Sequence, residues 1–269
     1  MKILFVILII VLSIFSSASF AAPYGAMVMN AKNGEVLHCE ECDTKLHPAG
    51  LTKLITLYVV FSKIESGEIS LDEQVEVSRK ASAELPAKLG LRPGQKIKVR
   101  YLIRATGVMG SNDTSTALAE HVSGSENEFA KLMNLTAKKL GMENSSFLNA
   151  HGVTQTGHLS TPRDMAIALR AIFYDFPDYF NLFSRRTANA GFKKVTHSGA
   201  RFLAYYRGAD AFRHGYTRAS GYNGAVSVER GSYRIITVVF GGRSTTTRNK
   251  AMASLCDLGL RNYHLTRDN

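Results

Sequence analysis

His47-Pro48-Ala49-Gly50-Leu51-Thr52-Lys53-Leu54-Ile55-Thr56 opens an apolar run that continues to Phe61. Proline at the edge of such a run favours the first turn of a helix, so a helix is expected to begin near Gly50 and to run out at Gly67. Residues 50 and 53 are three apart and share one face of that helix. Lys53 is the only Lys, Arg, Asp or Glu between Lys45 and Lys63, and its neighbours Leu54, Ile55, Leu57 and Val59 are apolar. It reads either as a lysine whose stem lies along the surface with its head in water, or as an amine held in a site for its chemistry. Thr52 sits about 100° round the helix from Lys53 and roughly 200° from residue 50, so it does not share their face.

Working outward towards the N-terminus, Gly25 to Asn30 and Glu35 to Cys39 flank Ala31-Lys32-Asn33-Gly34. Asn-Gly between two short apolar runs predicts a hairpin. Residues 1–21 read as a secretion signal, with Lys2, the apolar run Ile3 to Phe15, and the small residues of Ser19-Phe20-Ala21 at the cleavage positions. The mature chain is expected to start at Ala22 and to form one unit over residues 22–269. An uncleaved anchor is the alternative, for which the apolar run is short.

Towards the C-terminus, Val75 to Ser78 is strand-like, and Lys88-Leu89-Gly90-Leu91-Arg92-Pro93-Gly94 carries a turn signal. Val99 to Val108 is apolar at helical spacing. A further helix is expected through Ala117 to His121, and an amphipathic one over Glu126 to Leu140. Thr161-Pro162 reads as an N-cap followed by proline at the first helical position. Residues 181 to 210 read as irregular and polar, with Arg185, Arg186, Lys193 and Lys194. Gly221 to Val228 and Tyr233 to Phe240 are β-rich around the turn Glu229-Arg230-Gly231-Ser232, and a terminal helix is expected over Arg248 to Leu260. No internal repeat, low-complexity tract or linker interrupts the chain.

The formal charge is +11, or +10 once Lys2 leaves with the leader. The cations are scattered rather than blocked, which reads as a solvated basic surface; export points away from nucleic acid and towards anionic envelope components. Cys39 and Cys42 form a single CxxC with only His38 and His47 close by, a weak zinc pattern. Export permits a local disulfide between them, but two small, partly buried thiols is the favoured expectation. Cys256 lies in the apolar run Met252 to Leu260 and reads as core.

The segment Pro48 to Lys53 resembles the first active-site motif, Pro-Ala-Ser-x-x-Lys, of the serine D-Ala-D-Ala carboxypeptidases, the low-molecular-mass penicillin-binding proteins of the S11 peptidase type. The resemblance extends along essentially the whole mature chain, through Lys88-Leu89-Gly90-Leu91, Phe147-Leu148-Asn149-Ala150-His151-Gly152 and Ser160-Thr161-Pro162-Arg163-Asp164. It implies an α/β fold of the β-lactamase/DD-peptidase kind: an antiparallel sheet flanked by helices, with an inserted helical subdomain and a cleft between the two.

In that family a serine is acylated and the lysine one turn later takes its proton. The resemblance puts Gly50 at the position of the acylated serine and Lys53 at that of the general base. The second motif, Ser-x-Asn, matches Gly110-Ser111-Asn112. Its serine is replaced, its asparagine is kept to hold the substrate amide, and Ser111 is one residue out of register. The third, Lys-Thr-Gly, matches Arg213-His214-Gly215, followed by Tyr216. Arg213 keeps a charge whose planar fork suits a carboxylate, and the His214 ring is expected to crowd that carboxylate. The N–H groups of Gly50 and Tyr216 would form the oxyanion hole.

Glycine cannot be acylated, and losing the nucleophile of such a unit costs on the order of 10⁶ in turnover. The leading expectation is therefore an exported, periplasmic or envelope relative that binds peptidoglycan stem peptides ending in D-Ala-D-Ala, and β-lactams without covalent attachment. It would use no metal or cofactor and meet a membrane only through its leader. One alternative is an active carboxypeptidase with an unorthodox nucleophile, or a mutated chain of one. The other is a basic envelope protein whose cleft is unused.

Overall fold

The computed structural model describes residues 22–265, so the expected leader, residues 1–21, lies outside them. The helices, in chain order, are α1 (Thr52–Glu65), α2 (Arg79–Ala83), α3 (Val99–Arg104), α4 (Asn112–Ser123), α5 (Glu126–Lys139), α6 (Pro162–Asp175), α7 (Pro177–Phe180), α8 (Ala200–Tyr205) and α9 (Thr245–Leu265). The strands are β1 (Gly25–Asn30), β2 (Val36–Glu40), β3 (Gln74–Glu76), β4 (Lys96–Lys98), β5 (Thr187–Asn189), β6 (Lys194–Thr196), β7 (Ala209–Thr217), β8 (Gly221–Arg230) and β9 (Tyr233–Gly242).

Five strands form one antiparallel sheet in the order β2-β1-β9-β8-β7, which joins the two ends of the described chain. Every residue of β1 is buried because both faces of the sheet are covered. Side chains alternate across a strand. Ala26 and Val28 accordingly pack with Met252, Cys256 and Leu260 of α9, whereas Met27 and Met29 join the larger core with Leu54, Leu57 and Phe61 of α1 and Leu169 of α6. The helical subdomain, α2 to α5 with the small β3–β4 ribbon, is inserted between β2 and β7. The α/β architecture expected from the sequence is the one observed, and Cys256 lies in the core.

Three local expectations are corrected. Cys39 and Cys42 are joined as a disulfide rather than left as two thiols. Glu41, at φ 47°, turns the chain back after β2 and brings the two Cα atoms to 5.2 Å, within bridging range. Residues 181 to 210 are not irregular throughout: they fold into the β5–β6 hairpin and α8. The helix from Val99 changes character at Ala105, where a wider π-helical segment, Ala105–Met109, leads to Gly110.

Candidate active site

The eight residues singled out from the three motifs line one cavity of about 620 Å³, between the free edge of β7 and the helical subdomain. Gly50 lies in a short 3₁₀ turn, Ala49–Leu51, just before α1. Ala49 ahead of it holds φ 48°, a left-handed conformation rare for a residue with a side chain.

Lys53 is buried on the first turn of α1, 2 % exposed. Its Nζ donates to Asn112 Oδ1 at 2.7 Å and to the His151 carbonyl at 2.6 Å. Burial first, and Arg213 second, hold its pKa well below the usual lysine value. A neutral amine has two N–H groups and one lone pair; both donors have acceptors here, and the lone pair remains for a base. Asn112 is equally committed. Its Nδ2 donates to the Leu85 carbonyl at 2.8 Å and to that of Pro86 at 3.3 Å.

Arg213 is the largest side chain that is fully buried, and no carboxylate pairs with it among the described residues. Its Nη1 donates to the carbonyls of Thr106 and Gly107, at 3.1 and 3.0 Å, and its Nη2 to Ser198 Oγ at 3.0 Å. The fork expected to hold a ligand carboxylate is thus turned onto the π-helical segment. Burial lowers its pKa to about 10. Gly110 makes this packing possible. At φ 84° it takes a conformation few residues with a side chain adopt, and a Cβ there would stand 2.5 Å from Arg213 Nη2. Ser111 is buried outside the cavity lining, its hydroxyl without a partner.

The third motif closes on the first. A Cβ built on Gly50 would lie 2.6 Å from the His214 carbonyl oxygen and 3.0 Å from Gly215 Cα. A Cβ on Gly215 would in turn overlap the Gly50 backbone. Two glycines thus let the 49–50 and 214–215 backbones touch. The His214 ring packs 5.7 Å from that of Phe212, and the exposed Tyr216 ring lies 4.4 Å from that of Tyr222.

Three contributors escaped the sequence reading. Asp113 accepts the backbone N–H groups of Leu89, Gly90 and Leu91, at 2.9, 2.8 and 3.1 Å, and so fixes the Lys88-Leu89-Gly90-Leu91 segment beside the site. His151 gives Lys53 its carbonyl and turns its ring towards Glu84 and Glu126, at 3.4 and 3.5 Å. Ser198 carries Arg213 Nη2. The only signals available were the Asn-Asp pair at 112–113 and the His-Gly at 151–152. Two groups among the described residues have metal-ligating types close together. In Cys39, Cys42 and Asp43 the thiols are spent on the disulfide, and in Glu84, Glu126 and His151 Lys80 already pairs with Glu126 at 2.7 Å.

Three histidines around this framework are held neutral. Burial, helped by neighbouring cations, lowers the pKa of His158 to about 3, of His197 to about 4 and of His214 to about 3. His158 Nδ1 accepts the Leu148 N–H, and His197 Nδ1 that of Gly199, so protonating either ring breaks a bond. Unfolded histidine takes its proton near 6.5. Between that pH and about 4 the unfolded state binds more protons, so stability falls as pH drops, by up to about 1.4 kcal/mol per unit for each histidine. Urea unfolding at pH 7, 6 and 5 is expected to show midpoints moving down, with a shallower slope in His197→Asn. Midpoints flat from pH 7 to 5 would contradict this assignment.

Comparison with known proteins agrees with the fold. Residues 16–244 match the family described as D-alanyl-D-alanine carboxypeptidase. The chain is 31% identical over 243 residues to D-alanyl-D-alanine carboxypeptidase DacF of Bacillus subtilis, covering 88% of this chain and 62% of that protein. It is 33% identical to DacC of Escherichia coli, covering 87% and 60%. The chain therefore spans about three fifths of the length of these curated relatives. Among solved structures, penicillin-binding protein D2 from Listeria monocytogenes in its ampicillin-bound form superposes with a TM-score of 0.79 at 29% identity, over 88% of this chain and 96% of that one.

Proposed function

The chain belongs to the D-alanyl-D-alanine carboxypeptidase family, and from that premise we propose that it is a non-acylating member, which holds peptidoglycan stem peptides in its cleft without cleaving them. The observation that carries the reading is the contact at Gly50. The position matched to the family's nucleophile has no side chain, and the His214 carbonyl occupies the space beside it. The aliphatic hydroxyls that line the cavity are engaged elsewhere. Thr154 and Thr217 bond to each other at 2.7 Å, and Ser198 accepts from Arg213. Lys53 bonds to none of them.

What remains suits binding. The cavity is of ligand size, the free edge of β7 can take an extended peptide, and the positive charge that Arg213 keeps at the cavity wall favours a ligand that ends in a carboxylate. The roles follow the sequence reading: Gly50 and Gly110 mark lost hydroxyls, Lys53 and Asn112 keep the first two motifs joined, and Arg213, His214, Gly215 and Tyr216 form the peptide-facing edge. The setting proposed is the bacterial envelope, reached by export.

Calorimetric titration with a pentapeptide ending in D-Ala-D-Ala, beside an assay for released D-alanine, tests the reading. Saturable binding with no release above the uncatalysed background is expected, and weaker binding by the same peptide amidated at its C-terminus. Release at an ordinary enzymatic rate would reject it.

A further inference from the structure

We infer that the β5–β6 hairpin is a second binding surface, which docks on anionic phospholipid bilayers independently of the cleft. The stretch between Asp178 and Asp210 holds no Asp or Glu and six cations, Arg185, Arg186, Lys193, Lys194, Arg201 and Arg207. All six are exposed. None pairs with a carboxylate among the described residues. Elsewhere the surface lysines and arginines are often neutralised, as at Lys63–Glu68, Lys98–Asp72 and Arg163–Asp43. Other exposed cations, such as Lys88, Arg92, Lys138 and Lys139, also lack a carboxylate partner among the described residues; what sets this segment apart is that it supplies no carboxylate of its own between Asp178 and Asp210.

The hairpin is built to present that charge. Ala188 and Val195 face inwards, while Asn189 pairs with Lys194 and Thr187 with Thr196 on the outer side. Arg104 of α3 donates to the Asn189 carbonyl at 3.2 Å and pins the base of the tip. The tip itself is Ala190-Gly191-Phe192-Lys193, closed by the Ala190 N–H to the Lys193 carbonyl at 2.9 Å. Phe192 is 52% exposed there, next to the two lysines. The following helix adds Arg201 and Tyr205, four residues apart on one face, with Tyr205 75% exposed.

Charge alone would suit any polyanion. The aromatic ring at the tip selects the occupant. A phenyl group flanked by lysines can enter the boundary between headgroups and acyl chains while the ammonium groups stay with the phosphates. A dissolved polyanion gives the ring nothing to bury against. Each lysine near an anionic leaflet contributes about a fivefold gain in binding.

Co-sedimentation of the chain processed at Ala22 with vesicles of phosphatidylcholine, alone or with a quarter phosphatidylglycerol, tests the proposal. Binding is expected only to the anionic vesicles. Phe192→Ala should weaken it roughly tenfold, and Lys193→Gln with Lys194→Gln together roughly thirtyfold. Thermal unfolding of all variants should match the natural chain, since these side chains are exposed. The proposal is overturned if anionic vesicles fail to bind, or if binding is unchanged in the variants. It is also overturned if polyphosphate binds the natural chain and Phe192→Ala equally while vesicles do not. None of these outcomes depends on whether the cleft binds peptide.

Discussion

Gly50→Ser is expected to gain no penicilloyl adduct, although on the proposed reading it supplies a hydroxyl at the position matched to the family's nucleophile. The added Cβ would lie 2.6 Å from a backbone carbonyl, that of His214. That carbonyl belongs to β7, where His214 is registered against Gly224 of β8, so it cannot turn aside as a side chain would. Room for serine requires the edge strand to withdraw. Forcing extra atoms into such a contact costs about 1–3 kcal/mol, which for a chain of this size lowers the unfolding midpoint by roughly 2–10 °C. A hydroxyl admitted by a displaced strand is also misplaced for attack, and an error of about 1 Å costs on the order of 10² in rate. Intact-mass spectrometry after incubation with benzylpenicillin, with a melting curve on the same sample, checks both parts. A stoichiometric adduct at an unchanged midpoint would mean that the cleft is open at Gly50.

The second large effect concerns Gly110 and Arg213, which have exchanged volume. The guanidinium fills the place where a side chain at 110 would stand, 2.5 Å from the position of its Cβ. Gly110→Ser is therefore expected to destabilise by about 2–4 kcal/mol, through this overlap and through the cost of φ 84° to a residue with a side chain. Arg213→Lys should cost about 2–3 kcal/mol. A single ammonium cannot replace the three bonds to Thr106, Gly107 and Ser198, and buried acceptors would be left unpaired. In the double variant the overlap disappears, so the two costs should add to less than their sum by about 1–2 kcal/mol. Denaturant unfolding of the four proteins of this cycle measures the coupling. Additive costs would show that Gly110 and Arg213 are independent.

The architecture was legible because its signals are local. Asn33-Gly34 between two apolar runs marks the first hairpin, the β-rich stretches after Gly221 mark the sheet, and the motif order places Gly50, Gly110 and Arg213 around one cleft. What could not be read depends on contacts between distant segments. Nothing near Gly50 signals that the backbone at 214–215 lies against it. Nothing near Arg213 signals that its fork is taken by carbonyls of a π-helical segment. The Cys39–Cys42 bridge depends on a left-handed turn at Glu41, a residue that seldom adopts one. The β5–β6 hairpin was missed because each of its strands has three residues, with a single buried side chain apiece.

The cleft therefore keeps its frame. The Asp113 clamp on residues 89–91 and the Lys53–Asn112–His151 links hold the shape of the cavity wall. These features cost a binding protein nothing and would be needed by one. On the proposed reading, Gly50 and Gly110 are the positions where the family's covalent chemistry would occur.

The most direct test of the non-acylating reading is intact-mass spectrometry of the natural chain after prolonged incubation with excess benzylpenicillin. An unchanged mass is expected, because no cavity hydroxyl is bonded to Lys53 and position 50 has no side chain. A mass increased by one penicilloyl group would contradict it, and the peptide carrying that group would identify the nucleophile.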